Sequence, residues 1–189
     1  DILSVPDPVD LAVIILPAST ILPIVQDCLQ RGIKAITVIS GGFKELGSEG
    51  EELERKLVAF VKENDIRMVG PNCVGTMSLH TGLNTTFISG VPDTGGIGFL
   101  SQSGAVLGGV VDYVKDKGIG FSHFLSLGNE ADVTETDMID YLGDDPHTKV
   151  ITAYVEQIQD GQKFISVAKK IGEHKSELQS RQSISYAVF

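Results

Sequence analysis

Short apolar runs alternate along the chain with segments in which apolar residues recur at helical spacing. The first run, residues 11–16, predicts a buried parallel strand that ends at Pro17. Ser19 or Thr20 is expected to cap the following helix, which runs to Gly32. The apolar face of this helix comprises Ile21, Ile24, Val25, Cys28 and Leu29. Cys28 is therefore expected in the core.

The same alternation continues towards the carboxyl end. Further strands are predicted at residues 35–40, 66–69, 98–100, 120–127 and 150–155. Further helices are predicted at residues 49–64, 103–117, 135–142 and 162–171. Residues 184–189 alternate in polarity, as an additional edge strand would. Strands that alternate with helices pair in parallel through right-handed crossovers, so the expected fold class is α/β with two open parallel sheets.

A segment containing proline and glycine, residues 91–96, is expected to be a boundary or linker between the two sheets. The predicted domains are residues 1–92 and 93–175, and residues 176–189 form a tail. A length of 189 residues with 42% hydrophobic residues is sufficient for one large or two small cores.

Charge and cysteine content restrict the classes of partner. The formal net charge is -10 at pH 7, which argues against a general binder of nucleic acid or anionic membranes, because such proteins present a basic face. No apolar run approaches the roughly 20 residues that a membrane-spanning helix needs. The two cysteines do not suggest a disulfide framework, and no metal-ligand spacing is present, so a reducing, cytoplasmic compartment is expected.

Ligands of open α/β sheets bind at the carboxyl ends of the strands. This rule selects the loops at residues 41–43, 70–75 and 101–104, and the turn that contains Glu156. At residues 101–104 a strand turns directly into a helix, where backbone N–H groups and two hydroxyls favour an anion. The alternative is that Ser101 or Ser103 only caps the helix.

Cys73 lies in the loop that follows the third predicted strand and has three interpretations. A nucleophile would need a lowered thiol pKa and a basic partner, which the neighbouring sequence does not supply. A second interpretation is a small side chain that closes a tight turn. We favour the third, in which small residues let the acyl or thiol end of a ligand approach the backbone.

Four motifs in a fixed order carry a resemblance to a known family. They are VGPNCVG, GGIGFLSQSGA, SLGNEADV and DDPHTKVI, which begin at residues 69, 95, 126 and 144. Over residues 9–175 the chain resembles the NDP-forming acyl-CoA synthetases. It is most similar to the alpha chain of ADP-forming acetyl-CoA synthetase and, more distantly, to the alpha subunit of succinyl-CoA synthetase.

The resemblance implies a partial Rossmann-like CoA-binding domain followed by a flavodoxin-like ligase domain. In the family, ATP phosphorylates a histidine, the phosphoryl group passes to a small carboxylic acid, and the CoA thiol attacks the acyl phosphate. The residues implied to border CoA are Ser40, Gly41, Gly42, Phe43, Asn72, Cys73 and Val74. Those implied to line the phosphate position are Ser101, Gln102, Ser103 and Gly104. Glu156 matches the glutamate that orients the phosphorylated histidine.

The chain also departs from the family pattern. The first strand and glycine loop of the family are expected to be missing before residue 1, and residues 176–189 replace the loop that carries the histidine. None of His80, His123, His147 and His174 lies in the family's His-Thr-Gly motif. Each is expected to be structural or solvated. Asn129, Glu130 and Asp132 match a family motif, but we expect them to cap the helix that follows Thr134.

These departures predict that the chain alone is inactive. As part of a synthetase it would need an ATP-grasp domain or beta subunit, which binds ATP and Mg²⁺, within a homo- or hetero-oligomer. The alternative is a non-catalytic regulatory module that binds CoA or acyl-CoA.

Overall fold

The structure is a computed structural model and describes residues 2–6, 8–177 and 185–187. The chain forms two compact units. The first comprises Asp1–Gly75 and the short returning segment Leu127–Val133, and the second comprises Thr76–Ser126 and Thr134–Phe189. The predicted domain division between residues 92 and 93 remains a prediction.

The first unit contains a sheet of three parallel strands, as predicted. The strands are β1 (Leu11–Ile14), β2 (Ala35–Val38) and β3 (Arg67–Val69), in the spatial order β1-β2-β3. Helices α1 (Ala18–Gln30) and α2 (Ser48–Glu63) follow the first two strands. Cys28 is fully buried in the core, which confirms its predicted position.

The start of α1 differs from the prediction. Pro17 precedes the first helical residue, Ala18, and no side chain caps the helix. The Thr20 hydroxyl instead donates to the Pro17 carbonyl at 2.8 Å. Proline has no backbone N–H that needs an acceptor, and its φ is restricted, so the helix begins directly after Pro17. The predicted cap at Ser19 or Thr20 is therefore wrong.

The second unit contains a mixed sheet of six strands. Its strands are β4 (Thr76–Ser78), β5 (Leu83–Asn84), β6 (Asp93–Ser101), β7 (Gly120–Ser126), β8 (Val150–Tyr154) and β9 (Ser185–Ala187). Their order is β5-β4-β7-β6-β8-β9, and β7, β6, β8 and β9 are parallel. The α/β class is confirmed, but β4 pairs antiparallel with both β5 and β7, which the sequence pattern did not predict.

Helices α3 (Gly104–Val114), α4 (Glu135–Asp144) and α5 (Gly161–Glu177) complete the second unit. The predicted edge strand near the carboxyl end is confirmed for β9. Residues 178–184 and 188–189 of the predicted tail lie outside the described residues. Among the helices that the structure describes, none has the length and apolarity to cross a bilayer.

The segment predicted as a linker is largely strand. Residues 93–96 are the first four residues of β6, and Gly95 packs against Gly120 at the start of β7. A Cβ at Gly95 would lie 2.4 Å from the Gly120 Cα. The two glycines therefore allow a close backbone approach at an irregular register, which explains why turn-forming residues occur inside a strand.

Candidate functional site

The two loops predicted to border CoA lie side by side in the first unit. They leave the carboxyl ends of the neighbouring parallel strands β2 and β3. The Asn72 amide donates to the Ser40 carbonyl at 2.9 Å, so the loops contact each other directly. The Ser40 hydroxyl accepts a hydrogen bond from the Leu16 amide at 2.9 Å, which brings the end of β1 to the same place.

The seven residues predicted to border CoA divide into two groups by exposure. Phe43 and Cys73 are buried, with 1% and 4% of their surface exposed. The other five keep exposed or half-buried surface and are Ser40, Gly41, Gly42, Asn72 and Val74. The accessible group forms the exposed surface of the two loops, whereas Phe43 and Cys73 lie beneath it.

The environment of Cys73 does not fit a nucleophile. Its Sγ donates to the Val38 carbonyl at 3.3 Å, and burial raises the pKa of the thiol to about 11. At Gly70, where φ is +93°, a Cβ would lie 2.4 Å from that carbonyl and 3.1 Å from the sulfur. A small side chain that closes a tight turn accounts for these contacts.

The backbone of the glycine loop is held by a carboxylate. One oxygen of Glu45 accepts hydrogen bonds from the Gly42 amide and from the Phe43 amide, the latter at 3.1 Å. Its other oxygen accepts from the Asn129 side chain at 2.8 Å. Burial raises the pKa of Glu45, but these hydrogen bonds together lower it below its usual value, so the ionised form is favoured.

The returning segment Leu127–Val133 connects the two loops. The Asn129 Nδ2 donates to Glu45 and, at 2.7 Å, to Glu54, and the Asn129 Oδ1 accepts from Asn72 at 3.2 Å. The Lys44 ammonium donates to the Asn129 carbonyl at 2.6 Å and lies 3.8 Å from Glu54. Asn129 therefore contacts Asn72 of one predicted CoA loop and Glu45, whose carboxylate holds the backbone of the other.

The backbone of the same segment lies along the loop after β3. The amides of Asn129 and Ala131 donate to the carbonyls of Pro71 and Gly70, at 2.8 and 3.1 Å. The expectation that Asn129, Glu130 and Asp132 cap α4 is wrong, because Thr134 is the N-cap and forms a reciprocal capping box with Asp137.

Sequence reasoning missed this segment although the rule for α/β sheets applies to it. Residues 127–133 follow the carboxyl end of β7, as the four selected loops follow their strands. The pattern of Asn, Glu and Asp instead resembled a capping sequence.

The predicted phosphate position lies at the junction of β6 and α3 in the second unit. The Ser101 hydroxyl is fully buried and closes the turn, because it donates to the Ser103 carbonyl at 2.6 Å and accepts from the Ser103 amide at 3.1 Å. Ser103 is the N-cap of α3 and accepts from the Val106 amide at 3.4 Å. The first amides of α3, beginning at Gly104, have no acceptor within the helix.

Gln102 connects this junction to the turn that contains Glu156. Its Oε1 accepts from the amides of Glu156 and Gln157, at 2.5 and 2.9 Å. Its Nε2 donates to the Gln157 carbonyl at 2.6 Å. The Glu156 residue itself is exposed. The fold thus brings Gln102, Ser103, Gly104 and Glu156 to one edge of the sheet.

Three of the four histidines lie together in the second unit. The rings of His80 and His147 stack, with centroids 4.0 Å apart. His123 is 4% exposed and contacts the Tyr141 hydroxyl at 3.4 Å and the Asp145 carboxylate at 3.5 Å. In the part of the chain that the structure describes, no group of three or more His, Cys, Asp or Glu side chains could hold a metal ion.

Comparison with known proteins identifies the two parts of the chain. A CoA binding domain matches residues 1–78, and a succinyl-CoA ligase like flavodoxin domain matches residues 94–177. The ADP-forming acetate–CoA ligase I of Archaeoglobus fulgidus is 42% identical over 174 residues. The alpha subunit of the ADP-forming acetate–CoA ligase II of Pyrococcus furiosus is 42% identical over 171 residues. The chain thus contains a CoA binding domain and a succinyl-CoA ligase like flavodoxin domain, and it is similar to the corresponding part of ADP-forming acetate–CoA ligases.

The chain spans only about a quarter to a third of the length of the curated relatives it matches. The two alignments cover 92% and 90% of the chain but only 25% and 37% of the relatives. A solved acetyl-coenzyme A synthetase from Candidatus Korarchaeum cryptofilum, in complex with phosphate and ADP, superimposes with a TM-score of 0.88 at 37% identity. That match covers 97% of this chain and 38% of the solved one. The resemblance inferred from the four motifs is confirmed.

Proposed function

We propose that this chain supplies the CoA-binding and ligase domains of an ADP-forming acyl-CoA synthetase. The complete enzyme would convert a small carboxylic acid, CoA and ATP into acyl-CoA, ADP and phosphate. The observation that carries the proposal is the succession of the two domain matches, which together extend along most of a chain about 40% identical to ADP-forming acetate–CoA ligases.

In this proposal the loops after β2 and β3 border the pantetheine arm of CoA. The exposed Asn72 side chain and the backbone of Gly41 and Gly42 are the groups that contact it. The loop conformation is supported from beneath by Phe43, Cys73 and the Glu45 carboxylate.

The start of α3 is the proposed phosphate position. The helix dipole and the first backbone amide of α3, at Gly104, favour an anion at this position, so a chain of acidic net charge can still bind phosphate locally. The exposed Glu156 would accept a hydrogen bond from a histidine N–H and so orient the ring for phosphoryl transfer. The phosphorylated histidine and the ATP-grasp domain, with ATP and Mg²⁺, would come from another part of the enzyme or from a partner chain.

A cytoplasmic location belongs to the same proposal. Both cysteines are free and buried, which suits a reducing compartment, and CoA and ATP are cytoplasmic substrates.

Calorimetric titration with CoA tests the binding step. Asn72→Asp places a negative charge on the exposed loop and should weaken the binding of CoA several-fold, because CoA itself carries phosphates. The matched control is Asn84→Asp, which makes the same change at an exposed residue of the second unit. An absence of heat at millimolar CoA with the unmodified chain would contradict the proposal, as would equal effects of the two variants.

The catalytic part of the proposal requires a phosphohistidine. The complete synthetase, incubated with γ-labelled ATP and Mg²⁺, should acquire a protein-bound label that is labile at low pH and stable in base. Addition of the carboxylic acid substrate and CoA should release this label as phosphate. CoA binding without such a label would favour the alternative, a non-catalytic CoA-binding module.

A further inference from the structure

The side chain of Gln102 is committed to backbone groups 54 and 55 residues further along the chain. Its Oε1 accepts from the amides of Glu156 and Gln157, and its Nε2 donates to the Gln157 carbonyl. All three distances lie between 2.5 and 2.9 Å. The carboxamide therefore binds the turn as a peptide group would.

These contacts extend the pairing of β6 and β8 beyond the last strand residues. Ser101 and Tyr154 are the final paired residues of the two strands, and the Gln102 amide still donates to the Tyr154 carbonyl at 3.1 Å. The side chain then continues the ladder across the next residues of the neighbouring loop. The turn is thereby bound at residues 156 and 157, the second and third residues after β8.

We propose that Gln102 is a positioning residue that holds Glu156 beside the start of α3. The inference rests on the proposed function, in which Glu156 orients the phosphorylated histidine. Gln102 acts through the backbone of residues 156 and 157 and not as a ligand of the phosphate. This role differs from the one implied by the family resemblance, because both polar atoms of the carboxamide are engaged with the turn.

Amide hydrogen exchange, measured by NMR on the chain itself, tests the positioning. Gln102→Met has a similar length but no acceptor, so the amides of Glu156 and Gln157 should exchange at least about tenfold faster. Gln102→Glu keeps an acceptor for both amides and should retain most of their protection. Gln162→Met, at an exposed position of α5, is the matched control and should leave both amides unchanged.

Protection of the β8 amides, which pair with β6, reports whether each variant remains folded. If Gln102→Met does not fold, Gln102→Asn provides the same test, because its amide is one methylene too short to reach the turn. Unchanged exchange at both amides in a folded Gln102→Met or Gln102→Asn variant would overturn the proposal.

Kinetics of the complete synthetase distinguish positioning from direct binding of phosphate. A positioning role predicts that Gln102→Met lowers kcat by about tenfold or more and leaves KM for phosphate within about twofold, with partial rescue in Gln102→Glu. If Gln102 were a phosphate ligand, KM for phosphate would rise, and Gln102→Glu would be the worst variant because of charge repulsion. That outcome would overturn the proposal.

Hydrogen exchange and the activity of the complete synthetase test different claims. A complete synthetase with no ADP-forming activity would remove the proposed function, but hydrogen exchange would still decide whether Gln102 holds the turn.

Discussion

Cys73 lies between an asparagine and a valine in the loop that follows β3. In the structure its sulfur lies beneath the turn and donates to Val38, and burial raises the pKa of the thiol to about 11. A thiol with so high a pKa is almost entirely protonated at neutral pH. The residue therefore contributes volume and one hydrogen bond, and its buried thiol is not suited to act as a nucleophile.

His123 shows how burial and a nearby charge compete at one residue. Burial lowers the pKa of the imidazole, the Asp145 carboxylate raises it, and the adjacent His80 and His147 lower it further. Although the ring and the carboxylate are within ion-pair distance, desolvation is the larger effect, and the net pKa lies below the usual value of about 6.5. Burial raises the pKa of the nearby Tyr141 above its usual value, so its hydroxyl stays neutral at the neutral and acidic pH at which His123 titrates.

The lowered pKa of His123 predicts that acid destabilises the chain. The unfolded state binds the proton more readily, so the contribution of His123 is complete above about pH 6.5 and declines as the pH falls towards the folded-state pKa. The free energy of unfolding, from urea titrations at pH 7.0 and 5.5, should therefore decrease on acidification.

His123→Gln tests whether His123 causes this decrease. The variant should show a smaller decrease between the two pH values, whatever its stability at pH 7.0. An equal decrease in both proteins would contradict the role of His123.

At the scale of secondary structure, helix starts depended on more than capping residues. The capping box of Thr134 and Asp137 begins α4, and the Asp137 carboxylate also binds Lys163 of α5 at 2.6 Å. By contrast, α1 begins after Pro17 without a side-chain cap. Serine or threonine near a helix start is compatible with a side-chain cap and with an uncapped start. Only the backbone conformation distinguishes the two.

Two helical glycines predict opposite effects of the same substitution. At Gly50, in the first turn of α2, a Cβ would lie 1.9 Å from the Phe43 carbonyl oxygen of the predicted CoA loop. At Gly172 in α5 no atom lies within 4 Å of the added Cβ. Gly50→Ala should lower the free energy of unfolding by about 1–3 kcal/mol or more, since backbone atoms cannot yield to it.

Gly172→Ala is the matched control and should raise the free energy of unfolding by up to about 1 kcal/mol, because alanine is the better helix former. Urea denaturation monitored by circular dichroism would measure the free energy of unfolding of both variants. Equal effects of the two substitutions would mean that the close approach of α2 to Phe43 does not exist in solution.

At the scale of the molecule, the first unit is completed by a segment distant in sequence. The Asp132 carboxylate, on the returning segment Leu127–Val133, accepts from the Met68 amide at 2.8 Å and from the Arg67 Nε at 3.1 Å. Met68 is fully buried in the core of the first unit. The returning segment is therefore a structural part of the sheet region that carries the predicted CoA loops.

Asp132→Ala should cost about 1–3 kcal/mol of unfolding free energy, because the Met68 amide would lose its acceptor. Asp132→Asn keeps an acceptor for that amide and should cost less. Asp116→Ala, at an exposed aspartate, is the control and should be nearly neutral. Urea denaturation that gives Asp132→Ala the same midpoint as the control would refute this role.

The sequence was sufficient for the features that depend on local periodicity. The parallel strands β1, β2 and β3, the buried face of α1 and the helix that follows Ser103 all follow from apolar spacing, since burial of one face is dictated along the chain itself. The four motifs were likewise sufficient for the family.

Other features depended on contacts between residues far apart in sequence. The antiparallel strands β4 and β5 are too short for their periodicity to be recognised, and the glycines of β6 resemble a linker until Gly120 is placed against them. Asn129 and Gln102 bind partners from 54 to 85 residues away, and a polar side chain does not indicate its distant partner.

The sequence alone thus determined the α/β class, the order of the parallel strands along the chain and the resemblance to the family, because these depend on residue types in a recognisable pattern. Only the tertiary structure decided that Cys73 is buried, that Leu127–Val133 completes the first unit and that the Gln102 side chain hydrogen-bonds to the turn of Glu156. The physical reason is that burial and hydrogen-bond pairing are properties of the packed chain, in which distant segments satisfy each other's polar groups.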